Sequence, residues 1–85
     1  EIFLKAPYKF KSKTVLQEWC QNKGFDLPFY KIIEVSKKNG DPKRFSCDIF
    51  IEGLKESSAF GKSHKHAETN AARVLIEKFI TIGKI

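Results

Sequence analysis

The chain has 85 residues, enough for one small domain, and a domain of this size buries only about 60–65% of the surface its unfolded chain exposes. That leaves little room for a deep active-site cavity, while 41% hydrophobic residues and eight Phe exclude global disorder. Sixteen Lys+Arg against ten Asp+Glu give a net charge of +6, which suits a polyanion, either nucleic acid or an anionic membrane, or else simple solubility.

Residues 1–11 mix apolar and basic side chains around Pro7. They read as a linker or as a short extension that lays Ile2, Phe3 and Leu4 on the domain. The chain starts at Glu1 without an initiator Met and reads as a piece of a longer protein. From Ser12, an expected N-cap, Val15, Leu16, Trp19 and Cys20 recur at the spacing of one buried helical face. Thr14, Gln17 and Glu18 fall elsewhere on the cylinder. Gly24 is placed to stop the helix, and Pro28 cannot continue it.

Residues 29–36 are rich in aromatic and β-branched types and predict a strand, followed by the turn signals Asn39, Gly40, Asp41 and Pro42. A clean alternation follows, with Phe45, Cys47, Ile49 and Ile51 on one face and Ser46, Asp48, Phe50 and Glu52 on the other. Gly53 closes that strand, and 54–60 predict a third. Three strands joined by short turns imply an antiparallel sheet with one buried face. Ser63 caps a second helix, in which Ala67, Ala71, Val74, Leu75 and Lys78 repeat at helical spacing with Phe79 beside them, ending near 79–81. The expected class is α+β in the order α-β-β-β-α, with both helices on one face of a three-stranded antiparallel sheet. The domain is expected over 12–80, with a tail at 81–85.

Three clusters lie outside this core. Thr14, Gln17 and Glu18 offer a hydroxyl, an amide and a carboxylate, suited to ribose 2′-hydroxyls and base edges in a shallow minor groove. The turn between strands 1 and 2 carries Lys37, Lys38, Lys43 and Arg44, either as a basic tip entering a groove or as a solvated turn that discourages edge-to-edge aggregation. Lys62, Ser63, His64, Lys65 and His66 open the second helix. Cations fit poorly at that positive end, at roughly 0.3–1 kcal/mol each. They make sense where backbone N–H groups and cationic side chains address one phosphate.

The run Lys13-Thr14-Val15-Leu16-Gln17-Glu18-Trp19 resembles the opening of double-stranded RNA-binding domains, particularly those at the C-termini of ribonuclease III enzymes. Pro28-x-Tyr30 matches the start of that family's first strand, and Phe45 onward its second. Gly61-x-Ser63-His64-Lys65-x-Ala67-Glu68-x-x-Ala71-Ala72 resembles its Gly-x-Ser-Lys-Lys-x-Ala-Lys helix opening. The likeness runs from about Ser12 to Phe79. It implies two helices and a hairpin loop touching two successive minor grooves and the major groove between them, over ~16 base pairs with little sequence reading. Four positions depart from the pattern: His64 and Glu68 replace the first and third basic residues at helix 2, Asp41 stands at the loop His, and Ala59 at the first of two glycines. Binding weaker than in the strongest members is expected.

The other readings carry less. His64-x-His66 has no acidic or Cys ligand near it in sequence, and residues two apart on a helix point about 200° apart, so no metal is expected. Cys20 and Cys47 lie on apolar faces, are expected as buried free thiols, and form no nucleophile–base pair. Hence no catalytic residue, cofactor or small-molecule substrate is expected. Two cysteines and no signal-type segment suggest an intracellular setting, nuclear or cytoplasmic. No apolar run approaches the ~20 residues of a membrane span, and neither helix suits the membrane interface. A domain of this fold that binds a protein partner or a second copy through Phe50 and Phe60 is the alternative. Histidines at a phosphate site would also make affinity rise modestly on mild acidification.

Overall fold

Apolar residues at one-face spacing form the first helix, α1, at Ser12–Asn22, which buries Leu16, Trp19 and Cys20 with Val15 at their margin. The structure, a computed structural model, describes residues 12–84, so the expectations for residues 1–11 lie outside the described residues. Ser12 is itself the first helical residue and is buried. The helix stops where Gly24 adopts φ +76°, a conformation that costs a residue without Cβ nothing sterically. There the Gly24 N–H donates to the Gln21 carbonyl at 3.1 Å and the Phe25 N–H to the Cys20 carbonyl at 2.9 Å, satisfying two orphan acceptors.

Strands β1 (Phe29–Glu34), β2 (Phe45–Ile51) and β3 (Leu54–Gly61) form a three-stranded sheet in that order, both pairings antiparallel. β2 carries the expected alternation: Cys47, Ile49 and Ile51 are buried and Phe45 packs against them. β1 ends two residues before the expected Ser36. Val35 and Ser36 both donate their N–H to one acceptor, the Arg44 carbonyl, at 2.7 and 3.2 Å, so the ladder has no further rung. Between β2 and β3 the register slips: Ile49 faces Ser57 but Phe50 faces Lys55, leaving Glu56 as a bulge residue. The two-residue turn Glu52–Gly53 has positive φ at both positions, 53° and 82°, the twist that lets β2 return directly as β3. Glu52 holds this turn to the loop between α1 and β1, its carboxylate accepting from the Asp26 N–H at 2.9 Å.

Helix α2 (His64–Thr81) buries Ala67, Ala71, Ala72, Leu75, Ile76 and Phe79. The expected stripe is thus rotated: Val74 is 40% exposed and Lys78 is exposed, while Ala72 and Ile76 face inward. Lys78 instead crosses to β3, donating to the Glu56 carbonyl at 3.1 Å. Three alanines let α2 lie close to the sheet, and Gly61 makes the closest approach. A Cβ there would stand 2.3 Å from the Ala67 N and 2.6 Å from its Cα. Asn70 donates to the Phe60 carbonyl at 2.8 Å and the Ser57 hydroxyl to the Ala71 carbonyl at 3.0 Å, fixing the start of α2 against β3.

Both helices close one core against one sheet face, with the rings of Trp19 and Phe79 4.5 Å apart at its centre. The Trp19 indole N–H donates to the Lys84 carbonyl at 3.3 Å, which ties the residues after α2 to α1. Both cysteines are buried free thiols, as expected. Burial pushes the Cys47 thiol up to about 11, with Glu68 and Asp48 adding to it, and burial also raises Cys20.

Candidate nucleic-acid interface

The start of α2 is a built turn. Ser63, at φ −143° and ψ 168°, accepts the His66 N–H on its Oγ at 3.1 Å, and its carbonyl accepts the Ala67 N–H at 2.9 Å. Its hydroxyl oxygen therefore serves the helix first. The first turn holds no acidic residue. Lys62, His64 and Lys65 are exposed around it, and among the described residues neither Lys62 nor Lys65 has an ion-pair partner. His64 is steadied by the Phe45 ring, which it meets edge-on at 4.5 Å and 82°. The result is a positive helix end, with side-chain cations added to free backbone donors, able to hold an oxyanion.

Of the four basic residues expected at the hairpin tip, Lys43 and Arg44 part company. Lys43 is exposed, its ammonium 5.6 Å from the Phe60 ring centroid, directly ahead of the Lys62 segment. Arg44 turns back instead: its Nε and Nη2 each reach Glu34 Oε2 at 3.0 Å, Nη1 donates to Asn39, and the guanidinium lies 5.1 Å from the Phe45 ring centroid. That hydrogen bond holds the Glu34 carboxyl below the usual carboxylate range, with Lys37 helping. Asp41 also folds the loop. Its Oδ1 accepts the Lys43 N–H at 2.9 Å, a bond that, with the Ser36 hydroxyl, lowers its pKa.

Thr14, Gln17 and Glu18 are all exposed on α1. The structure adds a residue to which the sequence gave no role: Lys13 reaches across to α2 and ion-pairs with Glu68, its ammonium also 5.2 Å from the Tyr30 ring centroid. Burial foremost raises the Tyr30 phenol well above its ordinary range. The three clusters are thereby joined. Lys13–Glu68 ties the α1 face to α2, Phe45 links Arg44 to His64, and Phe60 carries Lys43 beside the α2 opening. Lys13 and Glu68 stand 55 residues apart, so only opposite charge hinted at the pair.

Comparison with known proteins decides what this constellation belongs to. The family described as "Double-stranded RNA binding motif" matches residues 12–79. The chain belongs to this family. It is a double-stranded RNA-binding module. Similar curated proteins are Ribonuclease 3 of Prochlorococcus marinus, 40% identical over 78 residues, and Ribonuclease 3 of Bradyrhizobium diazoefficiens, 41% identical over 66. Ribonuclease 3 2 of a Nostoc species is 35% identical over 68 residues. The matches cover 92%, 78% and 80% of this chain, but it spans only 31%, 26% and 28% of those relatives.

Within the double-stranded RNA-binding motif, the departures have structural counterparts. Glu68 is neutralised by Lys13, Asp41 builds the loop, and Ala59 sits partly buried opposite Cys47. The face of the sheet away from the helices treats Phe50 and Phe60 differently. Phe50 is half-buried there, its ring 6.1 Å from that of Phe29, whereas Phe60 is 44% exposed. Leu27, Phe29, Lys31 and Phe50 line an open hollow of about 620 Å³, edged by Asp26 and Glu52. Among the described residues no three metal-ligating side chains cluster, and no helix is long and apolar enough to cross a membrane.

Proposed function

We propose that this module reads A-form RNA by shape, with Lys62, Lys65, His64 and the α2 N-terminus holding phosphates across the major groove. Thr14, Gln17 and Glu18 reach ribose hydroxyls in one minor groove. Lys43 reaches the next, while Arg44 braces the loop that carries it. Discrimination against DNA comes from the 2′-hydroxyls and the A-form groove spacing. The observation that carries the reading is the acid-free first turn of α2, with Lys62 and Lys65 exposed and lacking ion pairs among the described residues.

The chain binds and does not cleave, and the longer protein it serves is a ribonuclease 3-like nuclease. Support for the parent comes from the matched relatives, whose remaining length lies outside this chain's span. The apolar hollow around Phe29 and Phe50 favours a second, weaker reading, in which that face meets protein.

Lys65→Ala tests the first reading. It should weaken binding to every duplex RNA sequence alike and flatten the salt dependence by about one counter-ion. Unchanged affinity would remove Lys65 from the site, and a loss confined to one RNA sequence would contradict shape readout.

A further inference from the structure

Glu68 is out of place on a surface meant for phosphate. It follows His64 and Lys65 on α2 by four and three residues, so its carboxylate shares their side of the helix. Left uncompensated, it would repel the RNA backbone. Its counter-ion comes from the other helix: Lys13 Nζ pairs with Glu68 Oε1, the two side chains 43% and 22% exposed. The Tyr30 ring holds the same ammonium from a second side, 5.2 Å from its centroid. Lys13 lines a small cleft with Gln17, Pro28 and Tyr30, so the pair sits beside the α1 face that carries Thr14 and Gln17. The neighbouring groups register the carboxylate too, since its charge adds to burial in raising Tyr30 and Cys47. One cation beside the α1 face is therefore engaged by the protein itself.

We propose that Glu68 limits the domain's affinity for duplex RNA by holding Lys13 as its counter-ion, so that one interface cation is withheld from phosphate. The proposal rests on the RNA-binding reading above and assigns the pair the role of setting its strength. Glu68 acts through Lys13 and is a positioning residue, not a contact. Removing only the carboxylate frees a cation. Removing only the ammonium exposes an anion. Removing both leaves the net charge where it was.

The test is a set of fluorescence-anisotropy titrations on the whole chain with a duplex RNA, at several salt concentrations, for wild type, Glu68→Gln, Lys13→Met and the double variant. Glu68→Gln is expected to bind roughly two- to fivefold tighter, with a salt dependence steeper by about one counter-ion. Lys13→Met should bind weaker by a similar factor, and the double variant should return close to wild type in affinity and salt slope. A double variant as weak as Lys13→Met would mean that Lys13 touches RNA directly, and the proposal fails. Weaker binding by Glu68→Gln, or an unchanged salt slope with only a lower melting temperature, overturns it as well. Circular-dichroism melts check folding, and the exchanged pair Lys13→Glu/Glu68→Lys keeps the bridge where single variants unfold. That exchanged variant is expected to bind like wild type, and a loss of binding in a folded exchange contradicts the proposal. If the wild-type chain binds no duplex RNA, the underlying reading falls and takes this proposal with it. Wild-type binding with the wrong variant order overturns the proposal alone.

Discussion

Replacing Gly61 with Ala should be the most damaging single-methyl change in the domain. The added Cβ would stand 2.3 Å from the Ala67 N, 2.6 Å from the Ala67 Cα and 2.7 Å from the His66 carbonyl carbon, against the 3.4 Å at which ordinary contact begins. The shortfall is about 1.1 Å, and all three atoms are helix backbone, so no side-chain rotation relieves it. The first turn of α2 must lift from β3, straining the Asn70 bond to Phe60 and loosening the fully buried Ala67 and Ala71. Overpacking costs about 1–3 kcal/mol in an adaptable core. Against rigid backbone, with contacts also lost, a loss of about 3 kcal/mol is expected, or roughly 12–24 °C in melting temperature for a domain of this size. Urea unfolding followed by the fluorescence of buried Trp19 measures it directly. Gly24→Ala is the control. Its Cβ would meet nothing within 4 Å, so only the φ of +76° is strained, at about 1 kcal/mol after the smaller entropy of the unfolded chain is allowed for. A loss at Gly61 below about 1 kcal/mol, or no larger than at Gly24, would refute the close-approach argument.

Three further outcomes follow from the same geometry. Ser63→Ala removes the acceptor of the His66 N–H and should cost about 1 kcal/mol in urea unfolding, with Ser63→Asp recovering it; equal stability of all three would contradict the cap. Lys43→Ala should weaken duplex binding with stability unchanged, whereas Arg44→Ala should destabilise the hairpin through Glu34 and Asn39, and the two assays distinguish these effects. Folding holds the Cys47 proton until about pH 11, while an unfolded thiol releases it near 9.0, so the unfolded state binds fewer protons between those values. Stability due to this thiol is thus full below about pH 9 and falls as pH rises toward 11; Cys47→Ala should lack that component, and rapid alkylation of native Cys47 at neutral pH would contradict its burial.

What the sequence revealed was local. The alternation through Cys47, Ile49 and Ile51, the stop at Gly24 and the cap at Ser63 each depend on residues a few positions apart, where stereochemistry alone decides. What it hid depends on the fold. Val74 and Ile76 are both apolar at plausible helical spacing, and only the packing of α2 in the fold shows that Ile76 is buried and Val74 exposed. Arg44 was indistinguishable from Lys43 as a cation until the hairpin set Glu34 and Asn39 beside it. The bulge at Glu56 shifts the pairing by one residue without any break in composition. Lys13 and Glu68 needed both helices in place, so the sequence showed Glu68 as a departure from the family pattern without its compensation.

The most direct test of the account is a comparison of affinities for RNA and DNA duplexes of one sequence, roughly 20 base pairs long, with single-stranded RNA alongside, at two salt concentrations. Salt-sensitive binding to the RNA duplex is expected, with markedly weaker binding to both alternatives. Equal binding to DNA would contradict recognition through A-form shape and 2′-hydroxyls. No binding by the folded chain at tens of micromolar would contradict the interface itself and direct attention to protein partners at the Phe29–Phe50 face.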